Sequence, residues 1–200
     1  MKDNDFYNAR NSIYCYDNSD VLKNKLEIKS YKKLHDFERK IVLLKSYELR
    51  QNKIAGNFDV NHFKSIHKYL FENIYDFAGD FRNEDIAKDT FKFACFEYIE
   101  DELIRILDML KNENYLKELD KEKLSKRLAY YLSEINVLHP FREGNGRVTR
   151  EFIRQIAYNA GYNFDLKNTN PKDVLNACIK SVFDTTDLEK IIFDCLSEIK

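Results

Sequence analysis

Residues 139–150 read HPFREGNGRVTR: one histidine, one acid, two glycines around an asparagine and three arginines within twelve positions. Arg142, Arg147 and Arg150 outnumber the one carboxylate, Glu143, so the stretch attracts anions, and phosphate is the first ligand to consider. Leu124, Leu128, Leu132 and Ile135 run into His139 at helical spacing. Val148, Phe152, Ile156 and Ala160 resume that spacing after the glycines, with Gly161 as the stop. The stretch is therefore a helix-loop-helix joint. Amides opening the second helix have no intrahelical partner and carry the positive end of its dipole, which suits them to anions. Gly144 and Gly146 let the backbone curl with positive φ and approach an oxygen without a Cβ in the way. Arg147 and Arg150, three apart, share a helix face from which both reach outer phosphate oxygens. That geometry suits a polyphosphate.

A carboxylate among phosphates repels them unless a cation lies between. Mg²⁺ takes one or two protein carboxylates and fills its other positions with water and phosphate oxygens, so Glu143 is assigned to metal. The alternative is an ordinary ion pair with a neighbouring arginine. His139 belongs to the residue type that titrates near neutrality, and it can accept a proton from a hydroxyl that attacks phosphorus. The chain lacks G-x-x-x-x-G-K-S/T, a G-x-G-x-x-G after a strand, and H-E-x-x-H, which removes the common phosphate and zinc folds.

Outward from the joint, apolar residues keep helical spacing nearly everywhere, and only five glycines and two prolines interrupt the 200 residues. The predicted class is all-α. An early helix over residues 30–50 turns Leu34, Phe37, Ile41 and Leu44 inward. A second buries Phe63, Ile66, His67, Leu70, Phe71 and Ile74, with Gly79 as its stop and His67 as a core histidine. A third carries Leu103, Ile106, Leu107 and Leu110. Two late helices begin at Pro171, where a first-turn proline costs nothing, and after Thr186. Phe91, Phe93 and Cys95 alternate with Lys92 and Ala94, the period of a short strand or hairpin, expected as the one β element.

Composition shows no break between halves, so one domain over 1–200 is expected. With 44% hydrophobic residues the chain can bury a core, and a net charge of −1 with mixed signs excludes a nucleic-acid coating protein. Any anion site is local. Cys15, Cys95, Cys178 and Cys195 form no C-x-x-C pair, and MKDNDFYNAR is polar from its first residue. Reduced thiols in a cytoplasmic protein without leader or membrane span are expected.

HPFREGNGRVTR resembles the signature of the Fic-domain family, H-P-F-x-D/E-G-N-G-R-x-x-R, at every specified position. IHKYLFENIYDFAGDFR is similar to the helix and turn that precede that signature, TFKFA to the family's β-hairpin flap, and YCYDNSDVLKNKLEI to the N-terminal segment of its bacterial toxin members. The resemblance implies a helical bundle with a flap and an AMP-transferring enzyme. AMP passes from ATP to a Tyr, Ser or Thr hydroxyl of a target protein, and pyrophosphate leaves. It implies His139 as general base, Glu143 as holder of Mg²⁺, Gly144, Asn145 and Gly146 as the nest, Arg147 and Arg150 on the phosphates, and Phe141 as the loop's buried anchor. Phe91, Lys92, Phe93 and Ala94 would be the flap that aligns a target segment by β-augmentation, unless Phe91 and Phe93 are ordinary hairpin core. The related Doc-type kinases carry lysine where this chain has Gly146, which favours AMP transfer over kinase chemistry. A catalytically inert interaction module would be expected to lose the histidine or the acid, and both are present.

Many family members are restrained by Ser/Thr-x-x-x-Glu-Gly/Asn, whose glutamate pairs with the second signature arginine, here Arg150. The nearest match, around Thr185 and Glu189, ends in Lys190, and Thr186 with Glu189 reads instead as a capping box. Leu188, Ile192, Cys195 and Ile199 then form the stripe of a last helix. The expectation is a toxin-like protein held by a separate small antitoxin, with DNA gyrase and topoisomerase IV as targets by analogy.

Overall fold

The computed structural model describes residues 12–88 and 90–199. The reading of the leader at 1–10 lies outside them. Seven α-helices form among the described residues: α1 (Tyr31–Gln51), α2 (Val60–Phe71), α3 (Ile99–Asn112), α4 (Lys121–Leu138), α5 (Asn145–Asn159), α6 (Pro171–Lys180) and α7 (Thr186–Cys195). The central helix is α4, which packs against α3, α5 and α7. Its stripe of Leu124, Leu128, Leu132 and Ile135 is buried, and α5 opposes it with buried Val148, Phe152 and Ile156. On the other side of α5 lies α2, burying Phe63, Ile66, His67, Leu70 and Phe71. The starts of α2, α4 and α6 are set by short acids and an amide that cap the first backbone N–H groups. Asp59 accepts the His62 amide at 2.8 Å and Asp120 the Lys123 amide at 2.8 Å, while Asn170 caps α6 ahead of Pro171.

Three expectations are corrected. First, α1 buries Leu34, Glu38, Val42 and Leu49, whereas Phe37 and Ile41 are half-buried and Leu44 is 61% exposed. The inward face is turned because an acid, Glu38, sits on it with buried partners described below. Second, α2 ends at Phe71, so Gly79, at φ +94°, closes the turns beyond the helix rather than the helix itself; Ile74 is buried within those turns. Third, β structure is not confined to the expected hairpin. That hairpin is β1 (Ala87–Lys88) against β2 (Phe91–Lys92), and a second antiparallel pair joins β3 (Tyr162–Phe164) to β4 (Leu196–Glu198).

The last helix therefore stops at Cys195. Leu188 and Ile192 are buried as expected, but Leu196 stands opposite Phe164 in the strand pair, and the Ile199 amide bonds to the Gly161 carbonyl at 3.0 Å. The expected capping box is absent too. Asp184 accepts both the amide and the hydroxyl of Thr186, at 3.0 and 2.6 Å, and Glu189 takes the Thr185 hydroxyl at 2.6 Å. A short acid two residues upstream closes a tighter ring than a glutamate three downstream and displaces it. All four cysteines are free thiols, and no described helix is long and apolar enough to cross a membrane.

The turned face of α1 is testable with one chemistry at two positions. Leu49 is 1% exposed, and Leu49→Ala should cost about 2–5 kcal/mol in urea denaturation. Leu44→Ala should stay within about 0.5 kcal/mol of wild type. The reverse order would restore the expected face.

Candidate active site

The joint begins where α4 stops. His139 adopts the left-handed conformation, φ 49° and ψ 61°, while its amide still bonds to the Ile135 carbonyl at 3.0 Å. A residue with a Cβ reaches this region at a cost of roughly 1–2 kcal/mol, so it persists only where neighbours fix it. Both the ring and the backbone carbonyl are held. Nδ1 lies 3.0 Å from the Asn136 carbonyl, Phe93 stacks on the imidazole with centroids 3.9 Å apart, and the His139 carbonyl accepts Arg82 Nε at 2.9 Å. A ring nitrogen facing a carbonyl oxygen carries the proton, so Nε2 holds the lone pair. Burial draws the His139 pKa down to about 4, the bond to Asn136 opposes this, and the charges of Arg82 and Lys88 add to the lowering. At neutral pH the imidazole is uncharged and can accept a proton at Nε2.

Beyond it the loop is pinned from below. Phe141 has no exposed surface, stacking on His67 at 3.7 Å and on Phe63 at 5.5 Å. Asn145 closes the loop on itself: Oδ1 accepts the Phe141 amide at 2.8 Å and Nδ2 donates to the Phe141 carbonyl at 2.7 Å. Its side chain is thus spent on shape, and its backbone amide is what it offers a ligand. His67 Nδ1 accepts the Gly79 amide at 2.8 Å, so Nε2 donates to the Glu143 carbonyl at 3.1 Å. Burial holds the His67 pKa at about 3, which keeps this relay neutral.

The glycines act differently from each other. Gly144 has φ +82°, and a Cβ there would lie 2.3 Å from the Phe71 ring. Gly146 does not have the expected positive φ and belongs to the first turn of α5, where a Cβ would stand 3.0 Å from Arg150 Nη1. Its missing side chain admits the guanidinium. The Gly144 amide is taken by Glu143 Oε1 at 2.8 Å, while the Asn145 and Gly146 amides meet no acceptor among the described residues.

The three arginines diverge. Arg142 is buried and binds Glu84 at 3.1 Å, so it is structural rather than part of an anion site. Arg147 lies over the Phe71 ring and reaches two carboxylates, Glu38 at 2.6 Å and Glu143 Oε1 at 3.1 Å; Glu38 also accepts the Tyr75 hydroxyl. Arg150 makes no ion pair or hydrogen bond with a described residue, and burial followed by its neighbour Arg147 lowers its pKa, with Cys178 opposing. An anion beside it would relieve both effects. Burial and the nearby Glu38 raise the Glu143 pKa, against Arg147 and the Gly144 amide. Glu143 Oε2 is left without a hydrogen bond among the described residues, and no described group of three His, Cys, Asp or Glu could hold a metal. A cation there would need oxygens from a ligand.

The hairpin reaches the site through its exit. Phe91 and Lys92 are exposed, Phe91 meets Phe93 edge-on at 5.2 Å, the Phe93 amide bonds to Ile86 at 3.2 Å, and the Ala94 amide to Val137 at 3.4 Å. Glu38, Tyr75 and Arg82 were not singled out as site residues. Glu38 had a signal, an acid at i+4 from Leu34 and i−4 from Val42 on an apolar stripe.

Residues 57–157 match the family described as Fic/DOC. A protein named "Protein adenylyltransferase VbhT" from Bartonella schoenbuchensis is 41% identical over 91% of this chain, which spans 38% of that relative's length. The "Probable protein adenylyltransferase Fic" of Escherichia coli is 34% identical over 92% of each chain. The crystal structure of BepC from Bartonella tribocorum, solved with bound AMPPNP, superposes with a TM-score of 0.88 at 25% identity, covering 94% of this chain and 97% of that one. The chain belongs to the Fic/DOC family.

Followed by NMR, the His139 ring should stay neutral on acidification and titrate near pH 4, with the proton on Nδ1 throughout. Because its folded pKa lies below the unfolded value of about 6.5, the unfolded state binds more protons. Stability is therefore complete above that pH and declines as pH falls from about 6.5 toward 4. A midpoint at 6.5 or higher would remove the buried neutral base.

Proposed function

We propose, with membership of the Fic/DOC family as the premise, that the chain is a protein adenylyltransferase, moving AMP from ATP to a hydroxyl of a target protein. The observation that carries this reading is the contact of His139 Nδ1 with the Asn136 carbonyl, which puts the ring proton on Nδ1 and the lone pair on Nε2, at the head of a loop whose far end offers the Asn145 and Gly146 amides and Arg150, none of them paired among the described residues. The target oxygen attacks the α-phosphorus, its proton passes to Nε2, and the bond to the β-phosphate oxygen breaks as pyrophosphate departs. Asn145 and Gly146 amides and Arg150 would take the phosphate oxygens. Glu143 would hold Mg²⁺ through Oε2, where the ion screens the carboxylate from the phosphates. Arg147, already shared by Glu38 and Glu143, would keep the carboxylate aimed and reach phosphate only alongside them. Gly146 supports AMP transfer over the kinase reaction through the resemblance, since the related Doc-type kinases carry lysine at this position.

We further infer restraint in trans. Glu189 is held by Thr185, and no described carboxylate pairs with Arg150, which supports a separate antitoxin supplying the glutamate. The toxin role, a cytoplasmic setting and the targets DNA gyrase and topoisomerase IV rest on the resemblance to small toxin members.

Incubation with α-³²P-ATP, Mg²⁺ and a bacterial lysate should label a protein, whereas γ-³²P-ATP should not. His139→Ala should lose about 10²- to 10⁴-fold in transfer while nucleotide affinity changes little. Labelling from the γ position alone would move the chain to the kinases. Expressed alone it should arrest growth, and Glu189→Gly should leave transfer unchanged; a silent chain awakened by that substitution would place the restraint in cis.

A further inference from the structure

Arg82 follows the turns after α2, and its side chain has no exposed surface, while Asp85 stands 3.8 Å away and is 65% exposed. A buried guanidinium ordinarily faces a carboxylate at hydrogen-bond distance. Here it faces backbone carbonyls: Nε donates to His139 at 2.9 Å, Nη1 to Glu84 at 2.8 Å, and Nη2 to Leu138 at 3.3 Å and to Ala94. The Arg82 amide adds the Pro140 carbonyl at 2.9 Å. Leu138 and His139 end α4, where carbonyls lack intrahelical partners and a cation is favoured. Ala94 is the exit of the hairpin. One planar fork thus joins the hairpin to the end of α4 that carries His139, in a dry setting where losing any bond leaves a carbonyl unpaired.

The strand pairing within the hairpin is itself short. Two residue pairs join β1 to β2, too few for independent stability, and its outer residues Phe91 and Lys92 are exposed. Its exit is held by the Arg82 bond, the long Ala94–Val137 bond and the stack of Phe93 on His139. We propose that Arg82 is a positioning residue that fixes the register between the hairpin and His139, so that a target segment laid along Phe91–Phe93 brings its hydroxyl to Nε2. This rests on the adenylyl-transfer reading.

The test compares wild type with Arg82→Lys and Arg82→Gln in the full chain, using Mg²⁺-ATP and purified bacterial DNA gyrase, or the lysate band that wild type labels if gyrase is not labelled. Neither variant reproduces the fork, so kcat/KM for the protein target should fall about 100-fold, while ATP affinity by calorimetry stays within about twofold and melting stays cooperative. A target kcat/KM within about threefold of wild type, or an equal loss of ATP affinity, overturns the proposal. If the variants do not fold, hydrogen exchange on wild type decides. The Ala94 and His139 amides should open together with one denaturant dependence, and an Ala94 amide exchanging about 100-fold faster through a separate opening overturns it. Wild type that transfers no α-label defeats the enzymatic reading, and the exchange result still judges the clamp.

Discussion

A neutral imidazole that does no chemistry supports the whole joint. His67 takes the Gly79 amide and gives its other ring nitrogen's proton to the Glu143 carbonyl, while its face stacks on Phe141. Protonated, it would lose the first bond and bury a charge, and its pKa near 3 shows how far burial opposes that state. Neutral, it ties the turn after α2 to the loop between α4 and α5. The loop's path, and with it the direction of Glu143 and the first amides of α5, follows from a histidine more than seventy positions upstream.

Charge is distributed with similar economy. A loop holding three arginines and one acid looks strongly cationic in sequence, but two of the arginines are already matched. Arg142 is matched by Glu84, and Arg147 by Glu38 and Glu143 together. Arg150 is the one that no carboxylate matches among the described residues. This arrangement limits the desolvation penalty that three unpaired buried cations would carry, and it leaves the positive potential where α5 begins and its dipole already points. The Tyr75 hydroxyl on Glu38 completes the set, since the second oxygen of a buried carboxylate needs a donor of its own.

Legibility in the sequence followed the range of the interactions. Elements set by local periodicity were readable: the stripes of α2, α3, α4 and α5, the buried His67 and the stops at His139 and Gly161. The signature loop was readable as a mark of the family because its defining residues are consecutive. The inward face of α1 departs from the expected one because Glu38 is buried against Tyr75 and Arg147, 37 and 109 positions away, and no local pattern announces those pairings. The end of α7 departs from expectation because Cys195 and Ile199 continue the helical spacing of Leu188 and Ile192, whereas Leu196 pairs as a strand with Phe164 in a distant segment. Arg82 sat inside a stretch that was quoted, yet its hub role depends on carbonyls, which every residue carries and no sequence displays.

The left-handed His139 shows why these long-range contacts matter together. Its conformation is unfavourable in isolation, and it is held by α4 through Asn136, by the hairpin through Phe93, and by the turn after α2 through Arg82. Three elements from three parts of the chain agree on one ring orientation before any ligand arrives. Groups fixed in this way need no reorganisation when charge develops, which is the condition under which amides, guanidinium and imidazole act most strongly. The local cost at one residue is therefore offset by the fold as a whole, and the same contacts that offset it set the hairpin beside the His139 imidazole.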